Sequence, residues 1–198
     1  MRVTSMPRKI PKSSRSAREY FDGKHRFEHW YVDNQVYFIT GCCRDHSPAF
    51  QAVKAREIFW DRLEHYCAQF GFVLWVASLM SNHYHLVGYN RVGQNLKTLM
   101  QRFHGSVAKL VNDELPERRA DFWRDQKGRE YFDGCLRDEK QCRASYRYTL
   151  MQARRHGVMY DYLKYPDTRV YIPLDVGVKR ALELKAFLEG VPYKRYEG

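Results

Sequence analysis

The chain has 198 residues and is 44% apolar, enough for one domain with its own core. A formal charge of +11 favours a polyanionic partner, either nucleic acid or an acidic membrane surface, while no run of about 18 uncharged apolar residues offers a membrane span. Five cysteines with no C-x-x-C pair fit neither a disulfide framework nor a zinc knuckle, and the basic start lacks the apolar centre of a secretory signal, so the expected address is cytoplasmic.

Residues 1–18 hold six Lys or Arg and no acid, interleaved with Pro7, Pro11 and several serines, a segment expected to stay mobile until it meets an anion. Val36 to Thr40 is β-branched and aromatic and reads as a buried strand. Ser47 and Pro48 open a helical stretch to about Gln69, with Phe50, Val53, Ile58, Leu63 and Tyr66 among its apolar positions, ended by Gly71. Phe72 to Leu79 and His83 to Tyr89 follow as strands joined by a tight turn at Met80-Ser81-Asn82. A second amphipathic helix runs from Asn95 to Asn112. Residues 113–135 are charged and aromatic, irregular with a short strand or two. Asp138 starts a helix that reaches His156 and stops at Gly157, and a proline-punctuated loop leads to a last helix near Gly177 to Leu188. The order predicts an α+β fold, an antiparallel sheet with helices packed on it, as in ferredoxin-like or RRM-like cores.

Three stretches carry candidate chemistry. On a strand, His83 and His85 face the same way, roughly 7 Å apart, so that two imidazoles can converge on one cation while Tyr84 points to the other face. Taken alone the His-x-His spacing is a weak signal, and two histidines on a half-exposed strand more often have a structural or incidental role. In the helix from Asp138, Cys142, Tyr146, Thr149, Leu150 and Ala153 form the natural core stripe. Gln141, Ser145, Tyr148, Gln152 and Arg155 form another, which reads either as a functional face or as ordinary surface. The third stretch clusters Phe122-Trp123 and Tyr131-Phe132-Asp133 near charged residues, as core or as a platform for unpaired bases. A tyrosine hydroxyl, which ionises near about pH 10 in water, becomes a useful nucleophile when a cation polarises the phosphate it attacks. Two imidazoles and one amide oxygen would leave open positions for phosphate and water, which suits Mg²⁺ or Mn²⁺. No third imidazole or thiolate sits at a spacing suited to a zinc hydrolase.

Together these blocks resemble the HUH single-tyrosine insertion-sequence transposases, particularly the REP-associated branch. Met80-Ser81-Asn82-His83-Tyr84-His85-Leu86 is similar to the histidine motif Met-Pro-Asn-His-Val-His-Leu. Arg147-Tyr148-Thr149-Leu150-Met151-Gln152-Ala153 through Val158 is similar to a stretch that runs Arg-Tyr-Ile-x-x-Asn-Pro-Val-x-Ala-Gly-Leu. The resemblance covers residues 30–170 and implies that His83, His85 and Gln152 hold a divalent metal, Mg²⁺ or Mn²⁺, and that Tyr148 is the nucleophile. It also implies a single-stranded or hairpin DNA partner, a monomer or homodimer, and a 5′-phosphotyrosine intermediate that a 3′-hydroxyl later resolves. Gln152-Ala153 departs from the family's Asn-Pro, and without the proline the helix is expected to continue to His156.

The expected organisation is a basic segment over residues 1–30, a catalytic domain over 31–170 and a C-terminal extension over 171–198. Arg102, Arg147, Arg155 and Trp123 are the expected DNA contacts. The rival reading is a domesticated transposase that binds hairpin DNA without cutting it.

Overall fold

The computed structural model describes residues 31–124 and 128–189; the basic segment expected over residues 1–30 lies outside them. Five strands form one antiparallel sheet in the order β4-β1-β3-β2-β5. They are β1 (Gln35–Cys42), β2 (Phe72–Leu79), β3 (His83–Asn90), β4 (Tyr131–Leu136) and β5 (Thr168–Val170). The helices α1 (Val53–Phe70) and α2 (Gly93–Glu114) cover one face. The other face carries α3 (Glu139–Leu150), which the short helix α4 (Gln152–Arg155) follows, together with α5 (Leu174–Glu189). The expected α+β architecture is the observed one.

Strand alternation sorts the residues into two cores. Tyr37, Ile39, Tyr84, Leu86, Ala77 and Leu79 point towards α1 and α2 and meet Phe59, Leu63, Leu99 and Phe103 there. Val36, Val76 and Val87 point the other way and meet Cys142 and Tyr146 of α3 with Val178 and Ala181 of α5. A register shift between Leu74 and Val76 lets the consecutive Trp75 and Val76 join this second core. At that bulge the Trp75 carbonyl accepts the backbone N–H groups of Tyr171 (2.9 Å) and Ile172 (3.1 Å). Tyr146 of α3 donates its hydroxyl to the Ile172 carbonyl at 3.1 Å, and Arg143 pairs with Asp175 at 2.7 Å. The helix expected within the C-terminal extension therefore shares a core with the sheet and α3.

Two features differ from the sequence reading, while the short strand expected within residues 113–135 is present. Ser47 to Ala52 does not join α1, because Asp45 and His46 take positive φ angles and Ser47 and Ala52 are extended. Phe50, 1% exposed, is instead driven into the core against Phe59, Phe122 and Trp123. Within residues 113–135 one strand, β4, pairs with β1, with Thr40 opposite Phe132 and Phe38 opposite Gly134. The three-residue β5, hidden in the loop after Pro166, closes the other edge by pairing with β2. Among the described residues no helix is long and apolar enough to cross a membrane.

Candidate active site

The strand β3 is central in the sheet, flanked by β1 and β2, and its first residues carry the two histidines. Their rings lie on the α3 side with centroids 5.1 Å apart. Cross-strand pairing puts Thr40 opposite His85 and Cys42 opposite His83. The Thr40 Oγ1 to His85 Nδ1 distance is 2.7 Å, and Phe38 stacks parallel to the His85 ring at 5.6 Å. His83 Nδ1 lies 2.6 Å from Asn82 Oδ1. Asn82 Nδ2 donates to the His46 carbonyl at 3.0 Å, so its oxygen must be the acceptor towards His83. The His83 proton therefore sits on Nδ1, and its Nε2 lone pair is left for another use. Thr40 can orient His85 in the same way.

Both imidazoles are held neutral. Burial pushes His83 down to about 4, with His156 and His46 adding to the effect. Burial, then His83, His156 and Arg155, push His85 down to about 3. Neutral imidazole is the form that binds metals.

The helix α3 is set by the sequence at both ends. Asp138 caps its start, accepting the Gln141 N–H at 2.7 Å. Its apolar stripe, Cys142, Tyr146 and Thr149, faces the sheet, and Tyr146 is buried as expected. Tyr148, 37% exposed, leans over the histidines. Its ring stands edge-on to His85 at 5.1 Å and to Phe38 at 5.8 Å, and the Arg155 guanidinium lies 4.7 Å above its centroid.

The helix expected to run unbroken to His156 is interrupted at Met151 (φ −89°, ψ 9°), so loss of the proline does not keep it continuous. The Tyr148 carbonyl at this break accepts the Gln152 side-chain Nε2 at 2.7 Å. Gln152 is completely buried, and its Oε1 has no hydrogen-bond partner among the described residues. The amide lies near enough to His83 to favour that ring's charged form, the weakest influence upon it.

His156, which the sequence reading passed over, brings its ring within 4.8 Å of His83. Its spacing of four residues after Gln152 was the available signal. Among the described residues no group of three or more His, Cys, Asp or Glu side chains is arranged to hold a metal ion; the ligand set expected from sequence contains an amide as its third member.

The expected DNA contacts divide. Arg147 and Arg155 are exposed on the α3–α4 side. Arg102 is exposed on α2, which covers the opposite face of the sheet from the histidines. Trp123 is a core residue, 5% exposed, stacked on His104 at 4.4 Å with its indole N–H donated to the His104 carbonyl at 3.0 Å. With this packing only a small part of its ring reaches the surface.

No curated protein matches the chain. A solved structure of a REP-associated tyrosine transposase bound to a REP hairpin has the same fold, with a TM-score of 0.60 at 13% identity, over 77% of this chain and 90% of that one. The family model for IS200-like transposases matches residues 31–134, from the residues before β1 through most of β4, and so includes His83 and His85 but stops short of α3. Since that match takes in over half of the sequence, the chain belongs to the IS200-like transposase family.

Proposed function

We infer that the chain is a single-stranded DNA endonuclease and strand transferase that works through a tyrosine nucleophile and a divalent cation. The observation that carries this reading is the convergence of Tyr148 on His85, with the orphaned buried oxygen of Gln152 beside His83. A buried amide oxygen without a partner costs on the order of 1–3 kcal/mol, which a cation would offset. Two neutral imidazoles and that oxygen fit Mg²⁺ or Mn²⁺, and His83, His85 and Gln152 would hold it. When bound there, such an ion supplies Lewis-acid polarisation of a DNA phosphate oxygen.

The side chains supply the remainder. Tyr148 attacks the scissile phosphorus with its hydroxyl oxygen, the P–O3′ bond breaks, and the DNA 5′ end becomes a phosphotyrosine with a free 3′-hydroxyl departing. Attack by a second 3′-hydroxyl on that linkage reverses the chemistry and joins strands. No nucleotide energy source is needed, because one phosphodiester replaces another. Arg155, above the Tyr148 ring, and the exposed Arg147 are suited to draw in the phosphate backbone. Hairpin DNA is the favoured substrate class, since the REP-associated transposase of the same fold was solved with a hairpin.

The test is incubation of the full chain with a pool of single-stranded hairpins and Mn²⁺, followed by denaturing electrophoresis for a covalent protein–DNA adduct. An adduct that chelator, His83→Ala or His85→Ala removes supports the reading. Hairpin binding with no adduct in any metal would establish the non-cutting alternative instead.

A further inference from the structure

Beside the histidines, between β1, the edge strand β4 and α3, lies a half-open cavity of about 230 Å³. Phe38, Phe132 and Tyr148 give it three aromatic walls, with His85, Thr40 and Arg129 among the other residues that line it. The Arg129 guanidinium is 5.6 Å from the Phe132 centroid. Directly opposite Phe38 on β4 stands Gly134, and a Cβ there would touch the ring of the half-buried Phe132 at 3.4 Å, so Phe132 leans over the glycine towards Phe38.

We propose that this cavity is a stacking pocket for one unpaired nucleobase of the single strand, the base of a nucleotide adjoining the scissile phosphate. The inference rests on the proposed function for the position of that phosphate. The cavity shares His85 and Tyr148 with the candidate active site, so a phosphate at the tyrosine leaves a neighbouring base no farther than one nucleotide from it. Aromatic walls with a guanidinium beside them suit the flat, electron-rich face of a base, and the chain's excess positive charge suits the attached backbone. The threonine hydroxyl lies 2.7 Å from His85 Nδ1, which leaves the Arg129 guanidinium as the main polar group on the wall beside the aromatic faces. Stacking on the aromatic walls is thus the main contribution, and the presence of a base matters more than its identity.

Phe132 is the residue to change, because it lies on an edge strand and, unlike Phe38, does not stack on His85. The probes are a twelve-residue oligothymidylate and an abasic oligonucleotide of equal length and charge. With full chain, anisotropy titrations are expected to show Phe132→Ala binding oligothymidylate roughly tenfold more weakly, given that stacking contributes about 1–3 kcal/mol per base, with abasic affinity unchanged. Phe132→Leu should fall between the two, and Phe132→Tyr should match the parent. Oligothymidylate carrying 5-iodouracil should photocross-link to peptides containing Phe38 or Phe132. Unchanged oligothymidylate affinity in Phe132→Ala, an equal loss for both probes, or cross-links mapping only elsewhere would overturn the pocket. A Tyr148-dependent adduct on hairpin DNA, assayed in parallel, separates failure of the pocket from failure of the proposed chemistry.

Discussion

Tyr146 and Tyr148 are separated by one residue and lie in opposite settings. Tyr146 is 5% exposed and donates to the Ile172 carbonyl, whereas Tyr148 is 37% exposed above His85. Tyr148→Phe is expected to abolish adduct formation with little change in hairpin affinity, since one oxygen and no charge is removed. Tyr146→Phe should keep the adduct and lower unfolding free energy by about 1 kcal/mol, the net worth of one partly buried hydrogen bond. The reverse result in the adduct assay would move the nucleophile to Tyr146. Gln152 gives a second residue-level test. Gln152→Glu replaces the donor to the Tyr148 carbonyl with a carboxylate in a fully buried place. In chelator its melting temperature should fall well below the parent's, because an unpaired buried charge costs several kcal/mol. Added Mn²⁺ should recover much of that loss, and a melt indifferent to Mn²⁺ would argue against a cation beside Gln152.

At the scale of elements, most of the architecture was legible. The β-branched and aromatic run at Val36 to Thr40, the glycine after α1 and the alternation around Tyr84 each mark an element by local rules. What the sequence hid depends on distant partners. Phe50 looks helical by spacing, yet the core claims its ring and the chain stays extended until Val53. Trp123 looks like a base platform because only the fold supplies His104 beneath it. Met151 carries no breaking signal, and its bend accompanies a side-chain bond that periodicity does not register. His83 and His85 were findable from alternation alone, whereas the roles of Asn82 and His156 beside them required the turn and the bend. Two glycines of α2 test the packing of that helix. A Cβ on Gly93 would stand 2.2 Å from the Tyr31 carbonyl oxygen, a backbone atom with little room to retreat, while one on Gly105 meets nothing within 4 Å. Urea melts should show Gly93→Ala destabilised by about 2 kcal/mol or more, and Gly105→Ala stabilised by about 0.5–1 kcal/mol as a helix-interior replacement. Equal effects from the two would show that the start of α2 is not pinned against residue 31.

For the molecule as a whole, His104 links stability to acidity. It is in the core on the opposite face from the candidate site, its Nε2 2.7 Å from the Tyr84 hydroxyl and its Nδ1 without a partner among the described residues. Burial pushes it down to about 3. In the unfolded chain an ordinary histidine takes up its proton near about 6.5, so below that value the unfolded state binds more protons than the folded one. The contribution is thus complete above about pH 6.5 and is lost as pH falls towards 3, at up to about 1.4 kcal/mol per pH unit. Urea midpoints measured in chelator should drop between pH 7 and pH 4.5, and His104→Gln should flatten part of the drop. A variant with the parent's full pH dependence would place the proton uptake elsewhere.

Consecutive positions on a helix turn by about 100°, so Tyr146 and Tyr148 point some 200° apart and the direction of one dictates that of the other. Tyr146 is tied to Ile172, Ile172 to Trp75, and Arg143 to Asp175. The roll of α3 about its own axis, set by the buried stripe of Cys142, Tyr146 and Thr149 against the sheet, is thus pinned a second time from beyond β5, by a pivot that touches neither histidine. A chain ended at Val170 would keep His83, His85, Tyr148 and Gln152, and the sheet would still hold α3, yet the second bearing of its axle would be gone.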